Sequence, residues 1–142
     1  MPANFHSNLG QYLNASDEAV HNALTVIGTA AEGHAKENVT EMRAVDTGFL
    51  RNSITWAISG ETTNARTYKD DSGQQEGSYS GDAPAATEGQ KSVWIGSNVF
   101  YAPHVEYGTE KMAGRPYLRR AISDHADEYK AMLRDILDST DV

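Results

Sequence analysis

His104 and Glu106 stand two residues apart in "YAPHVEYG" (Tyr101 to Gly108), and on an extended segment both side chains point to one side. An imidazole and a carboxylate so placed are two of the donors a zinc-like ion takes, but such a site needs a third and usually a fourth. The remaining histidines, His6, His21, His34 and His125, are scattered without i, i+4 pairing, and the chain has no cysteine to complete a thiolate set. His34 and His125 fall on or beside apolar stripes and read as half-buried helix residues. Asp46 and Thr47, with Ser53 close by, offer an acid and hydroxyls, yet neither a GxSxG elbow nor a glycine-rich phosphate loop accompanies them. The expectation is therefore no catalytic residue, no metal ligand and no cofactor, with Glu106 paired to a nearby arginine.

The charge pattern is more informative. Twelve Lys and Arg face twenty Asp and Glu, for a net charge of −8. Four of the cations, Lys111, Arg115, Arg119 and Arg120, nevertheless crowd into one short stretch. Arg115 precedes Pro116 at a helix start, where the helix dipole disfavours positive charge. Cations held there imply carboxylates that meet them, on Glu106 or on a neighbouring molecule.

The elements that position these residues follow from periodicity. Val20, Leu24, Ile27 and Ala31 lie at steps of four, three and four, which predicts a helix over 16–42. Asn14 or Ser16 can cap it, and Asp17 and Glu18 favour its first turn. "NLGQYL" (Asn8 to Leu13) predicts a short preceding helical turn. In "AVDTGFLRNSITWAISG" (Ala44 to Gly60), Leu50, Ile54, Trp56 and Ile58 alternate with smaller or polar residues and predict a strand, entered through a turn at Asp46, Thr47 and Gly48. "SVWIGS" (Ser92 to Ser97) predicts a second strand, and "VFYAPHVEYG" (Val99 to Gly108) a third that begins extended, with Pro103 suited to an edge. A last helix is predicted from Pro116 to Leu137, with Leu118, Ile122, Tyr129, Leu133 and Ile136 as its stripe and Ala126 inside it. Between the first two strands, residues 61–91 are polar and poor in aliphatic bulk, too little to offset their own ordering entropy, although Thr62 to Tyr68 can extend the hairpin. The outline is a single α+β domain over 1–142: a small antiparallel sheet packed by an N-terminal and a C-terminal helix, with a long polar loop at 61–91 and a frayed end at 138–142.

Composition excludes several classes of function. The acidic balance, with pI near 5.0, argues against nonspecific DNA or anionic-membrane binding, which rely on cationic surfaces. No apolar run approaches the roughly 20 residues of a membrane span. "MPANFHSNLG" lacks the basic and apolar regions of a secretory leader, so a protein kept in the cytoplasm, or in something assembled there, is expected.

Three blocks, "VDTGFLRNSI" (Val45 to Ile54), "YAPHVEYGT" (Tyr101 to Thr109) and "RPYLRRAI" (Arg115 to Ile122), occur in the order in which they resemble the motifs of the tail-component family of long-tailed double-stranded DNA phages. These are small neck or tail-completion proteins that join head to tail. The likeness covers the architecture of the whole chain and about thirty residues of motif. The long 61–91 loop and the Pro103-His104 pair depart from the family pattern.

The resemblance implies a structural virion protein, assembled in the host cytoplasm, without enzymatic activity. Identical copies, commonly six, would form a ring between the head-side connector or stopper and the tail tube or terminator, with double-stranded DNA passing through without specific binding. In this sequence Asp46, Thr47, Gly48, Leu50 and Arg51 would shape the first turn and strand. Glu106, Gly108 and Thr109 would end the last strand, and Pro116 would start the helix. Arg115, Arg119, Arg120 and Glu106 are the expected subunit-interface residues, since a closed ring needs two different complementary faces. Tyr68, Tyr79 and Asp82 are expected on an arm that orders only against a neighbouring ring. A tail terminator or connector adaptor ring is the neighbouring alternative, and an acidic regulatory or inhibitor protein with a basic partner is the alternative from another class.

Overall fold

Why the 16–42 segment is helical is visible in what it buries. In the computed structural model, which describes residues 3–6, 17–42, 47–86 and 91–139, helix α1 spans Asp17–Glu41. Val20, Leu24, Ile27 and Ala31 are all buried, joined by Ala19, Ala23, Ala35 and Val39. The many alanines widen the stripe and let neighbours approach closely. The helical turn expected at Asn8 to Leu13 and the caps Asn14 and Ser16 lie outside the described residues.

Helix α1 lies on a three-stranded antiparallel sheet in the order β1 (Ala3–His6), β5 (Ser92–Gly96), β2 (Thr55–Ile58). Between β2 and β5 come the short strands β3 (Thr67–Lys69) and β4 (Glu76–Ser78). The register sets Trp56 opposite Ile95 and Ile58 opposite Val93, so these four side chains share one face, and α1 packs on β2 and β5. A Cβ on Gly28 would come within 2.8 Å of the Trp56 ring and 2.9 Å of a Val93 methyl, so only glycine lets α1 settle this close to the sheet.

The first predicted strand is shorter than its alternation implied. Phe49–Ser53 forms a short helix, α2, and only Thr55–Ile58 is extended. Leu50 and Ile54 are still buried. A helical turn also buries residues four apart, so the two periods coincide there.

The third predicted strand is corrected as well. Ala102–Tyr107 is a helix, α3, begun by Pro103 near its N-terminus. A two-stranded hairpin follows, β6 (Gly108–Thr109) and β7 (Met112–Ala113). His104 and Glu106 therefore do not share a side: His104 is exposed and Glu106 fully buried.

The last helix is two. Helix α4 runs Tyr117–Ser123 and α5 Ala126–Ser139, both against α1. At the break, the Ala121 carbonyl accepts the Tyr129 hydroxyl at 3.0 Å, a bond that holds the elbow bent. The bend turns the stripe: Tyr117, Leu118, Ala121, Tyr129, Leu133 and Leu137 are buried, while Ile122 and Ile136 are only partly covered.

Residues 61–86 carry regular structure. Strands β3 and β4 pair as a hairpin, with a Thr62–Asp82 bridge behind it. At the hairpin turn the Asp70 carboxylate accepts Gln74 N–H at 2.9 Å, Gln75 N–H at 3.2 Å and the Ser72 hydroxyl. A little desolvation pushes that carboxyl up, but these bonds, from Gln75, Ser72, Gln74 and Gly73, outweigh it and hold it below the usual carboxylate range. Two tyrosines fasten the segment down. The Tyr79 hydroxyl contacts the Ser53 carbonyl (2.6 Å), the Gly96 carbonyl (3.1 Å) and the Asn98 N–H (3.2 Å), and the Tyr68 hydroxyl donates to the Asn98 side chain. Polar composition predicted an unfastened loop because it counts apolar bulk and misses hydroxyl anchors.

Candidate functional site

The first marked block builds a clamp. Gly48 sits at φ 83° ahead of α2, in left-handed backbone where glycine is unstrained. A Cβ at this position would run into the Asp71 carboxylate. Arg51 donates to both Asp71 oxygens, at 2.9 and 3.0 Å, and Asn52 donates to Asp71 Oδ1 at 3.0 Å and to the Lys69 carbonyl at 2.8 Å. The Asp71 N–H in turn donates to the Thr47 carbonyl at 2.9 Å. Thr47, Gly48 and Arg51 thus hold the β3–β4 turn, while Leu50 points into the core. Asp46 lies outside the described residues. Asp71 was the missing partner, and no local signal ties it to Arg51 twenty positions away.

The second and third blocks meet in a knot around Glu106. Its side chain is 0% exposed. One carboxylate oxygen accepts the Leu118 N–H at 2.8 Å; the other accepts the Arg119 N–H at 3.2 Å and Arg119 Nε at 2.8 Å. Glu106 therefore satisfies the first free N–H groups of α4 from a different helix, where an anion is favoured. The hairpin makes this possible. Gly108, at φ 85°, reverses the chain so tightly that a Cβ would lie 2.7 Å from the Met112 carbonyl oxygen. Thr109 accepts the Lys111 N–H in the hairpin turn at 3.3 Å. The Arg115 N–H then reaches the Val105 carbonyl at 2.7 Å, and Pro116 precedes the helix at φ −77°. Tyr117, buried beside this carboxylate, has its phenol pushed above the ordinary value, first by burial and then by the Glu106 charge.

The basic cluster divides. Arg119 is paired with Glu106 and lies over the Tyr107 ring at 4.9 Å, and Arg120 pairs with Asp124 at 3.3 Å. Arg115 is half-buried and Lys111 exposed at the hairpin tip. Periodicity also did not reveal three exposed apolar side chains: Phe100 is 86% exposed, Tyr107 59% and Met112 40%. Ser53, the hydroxyl that suggested acyl chemistry, is buried and bonds the Leu50 carbonyl at 2.6 Å and the Ser97 hydroxyl. Those are structural bonds.

Fold and site together define a small α+β domain whose marked residues build joints between elements. A model of the family described as "Bacteriophage HK97-gp10, putative tail-component" matches residues 2–108, well over half of the chain, and the chain belongs to this family of phage tail components. The match takes in the described clamp residues and Glu106 and ends before Arg115–Ile122. No curated protein and no solved structure matches the chain. No helix among the described residues is long and apolar enough to cross a membrane.

Proposed function

We propose that this protein is a structural subunit of the virion neck or tail, in which identical copies close into a ring, six being the expected number, between the head-side connector and the tail tube. The observation that carries this reading is the family match over residues 2–108. Two further features support it. Phe100, Tyr107 and Met112 are large apolar side chains left exposed, of the kind that a neighbouring subunit covers. The net charge of −8 favours a channel wall that repels phosphate, so that DNA slides without sticking.

In this ring the face bearing Phe100, Tyr107, Arg115 and Arg120 meets an acidic face of the next subunit, and Arg119 stays with Glu106. The loop-borne Tyr68 and Tyr79 serve the subunit's own fold, and Asp82, at the exposed bridge, is left for contacts with adjacent layers. The test is native mass spectrometry and negative-stain microscopy of the purified chain with Phe100→Asp and Arg115→Glu variants. It is paired with microscopy of particles made without the protein. Rings lost in folded variants, and heads separated from tails, are expected. A chain that stays monomeric at every concentration and is missing from purified particles overturns the reading.

A further inference from the structure

The histidines that looked scattered in sequence meet in space. His34, on α1, and His125, at the elbow between α4 and α5, stack with ring centroids 3.5 Å apart and planes within 3° of parallel. Glu128, three residues after His125, stands beside them, and one donor atom from each of the three side chains lies within 4.8 Å of the others. Proton accounting assigns the nitrogens. Tyr129 gives its single hydroxyl proton to the Ala121 carbonyl, so at 2.6 Å it accepts from His34, whose Nδ1 must carry hydrogen. His125 Nδ1 is 2.9 Å from a Glu128 oxygen, which only accepts, so it carries hydrogen too. In this arrangement the acceptor nitrogen left on each ring is Nε2. Tyr129 is thus the oxygen partner that orients the His34 ring for a metal ion, whereas Glu128 would exchange its bond to His125 for the ion.

We propose that His34, His125 and Glu128 form a binding site for one divalent transition ion of the zinc class, with water completing the coordination. Two imidazoles and one carboxylate suit such an ion better than magnesium or calcium, which take oxygen donors. A lone pair lies in its ring plane, so the stacked rings cannot both point at one ion as they stand. His125 is the ring that turns, being at the elbow and partly open to solvent, while Tyr129 holds His34. The bound ion would staple the C-terminal helix to α1, joining a residue inside the family match to two beyond it. The inference is independent of ring formation.

The experiment is calorimetric titration of the untagged full chain with zinc chloride, with magnesium chloride as comparison and cobalt(II) absorption as a second readout. The expected result is one zinc per chain, no comparable magnesium binding, and affinity reduced at least about tenfold by either His34→Ala or His125→Gln. Zinc should also raise the melting temperature of the parent chain more than that of the variants. His125→Gln changes a partly exposed side chain, so it remains informative if His34→Ala unfolds. Absence of zinc heat in the parent, or equal affinity in a folded His125→Gln variant, overturns the proposal.

Discussion

Glu106→Ala is the most demanding perturbation of the fold, because one buried carboxylate serves three donors at the junction of α3 and α4. Truncation leaves the Leu118 N–H unpaired in the interior and uncaps the helix start. An orphaned buried donor costs about 1–3 kcal/mol, and a lost cap typically about 1 kcal/mol more. The guanidinium partner adds less, because Arg119 is 56% exposed and can return to water. The expected loss is about 2–4 kcal/mol, the orphaned donor and the lost cap together. At roughly 2–4 °C per kcal/mol for a domain of this size, that is a drop of about 4–16 °C in melting temperature. Arg119→Ala should cost only about 1–2 kcal/mol, because the two backbone N–H groups still face the carboxylate. Urea unfolding of both single variants and the double variant measures this, and in the Glu106→Ala background Arg119→Ala should be nearly silent. If Glu106→Ala loses less than about 1 kcal/mol, or Arg119→Ala matches it, the capping account is wrong and Glu106 is merely one half of an ion pair.

Gly28→Ala should lower stability by about 1–2 kcal/mol, since overpacking against Trp56 and Val93 exceeds the gain in helix propensity. Gly33→Ala on the same helix meets no atom within 4 Å and should raise stability by about 0.5–1 kcal/mol, so thermal melts of the pair separate close approach from propensity. Tyr79→Phe should cost about 1–3 kcal/mol and, by hydrogen exchange and limited proteolysis, open β3 and β4 while the sheet stays protected. Unchanged protection would mean that the hairpin is held by the Arg51–Asp71 clamp alone. Burial raises the phenols of Tyr79, Tyr117 and Tyr129 above the ordinary value near 10. Above that pH the unfolded chain loses protons that the folded chain keeps, so stability is intact below about pH 10 and falls as pH rises further. Tyrosinate absorbance should therefore show these three groups ionising together with unfolding, and independent early titration would contradict their burial.

How much was legible in the sequence depended on whether a signal was local. The α1 stripe, the β5 strand and the α+β class follow from periodicity, which reports the face a segment buries. Periodicity failed at Leu50 and Ile54, where four residues can be two strand repeats or one helical turn, and at Tyr101 to Gly108, where Pro103 suited an edge strand and a helix start equally. It also ran through the elbow at Asp124 and His125, because the bond that bends the chain comes from Tyr129.

The sequence by itself determined the elements, the acidic balance, the family blocks and the likelihood of a partner for Glu106 among the nearby arginines. Only tertiary structure decided that this carboxylate caps α4, that Arg51 grips Asp71, that the polar 61–86 segment is pinned by Tyr68 and Tyr79, and that His34 meets His125. The reason is physical. Apolar burial leaves a periodic trace along the chain, whereas a hydrogen bond or a ring stack between residues a dozen to about ninety positions apart leaves none until folding brings them together.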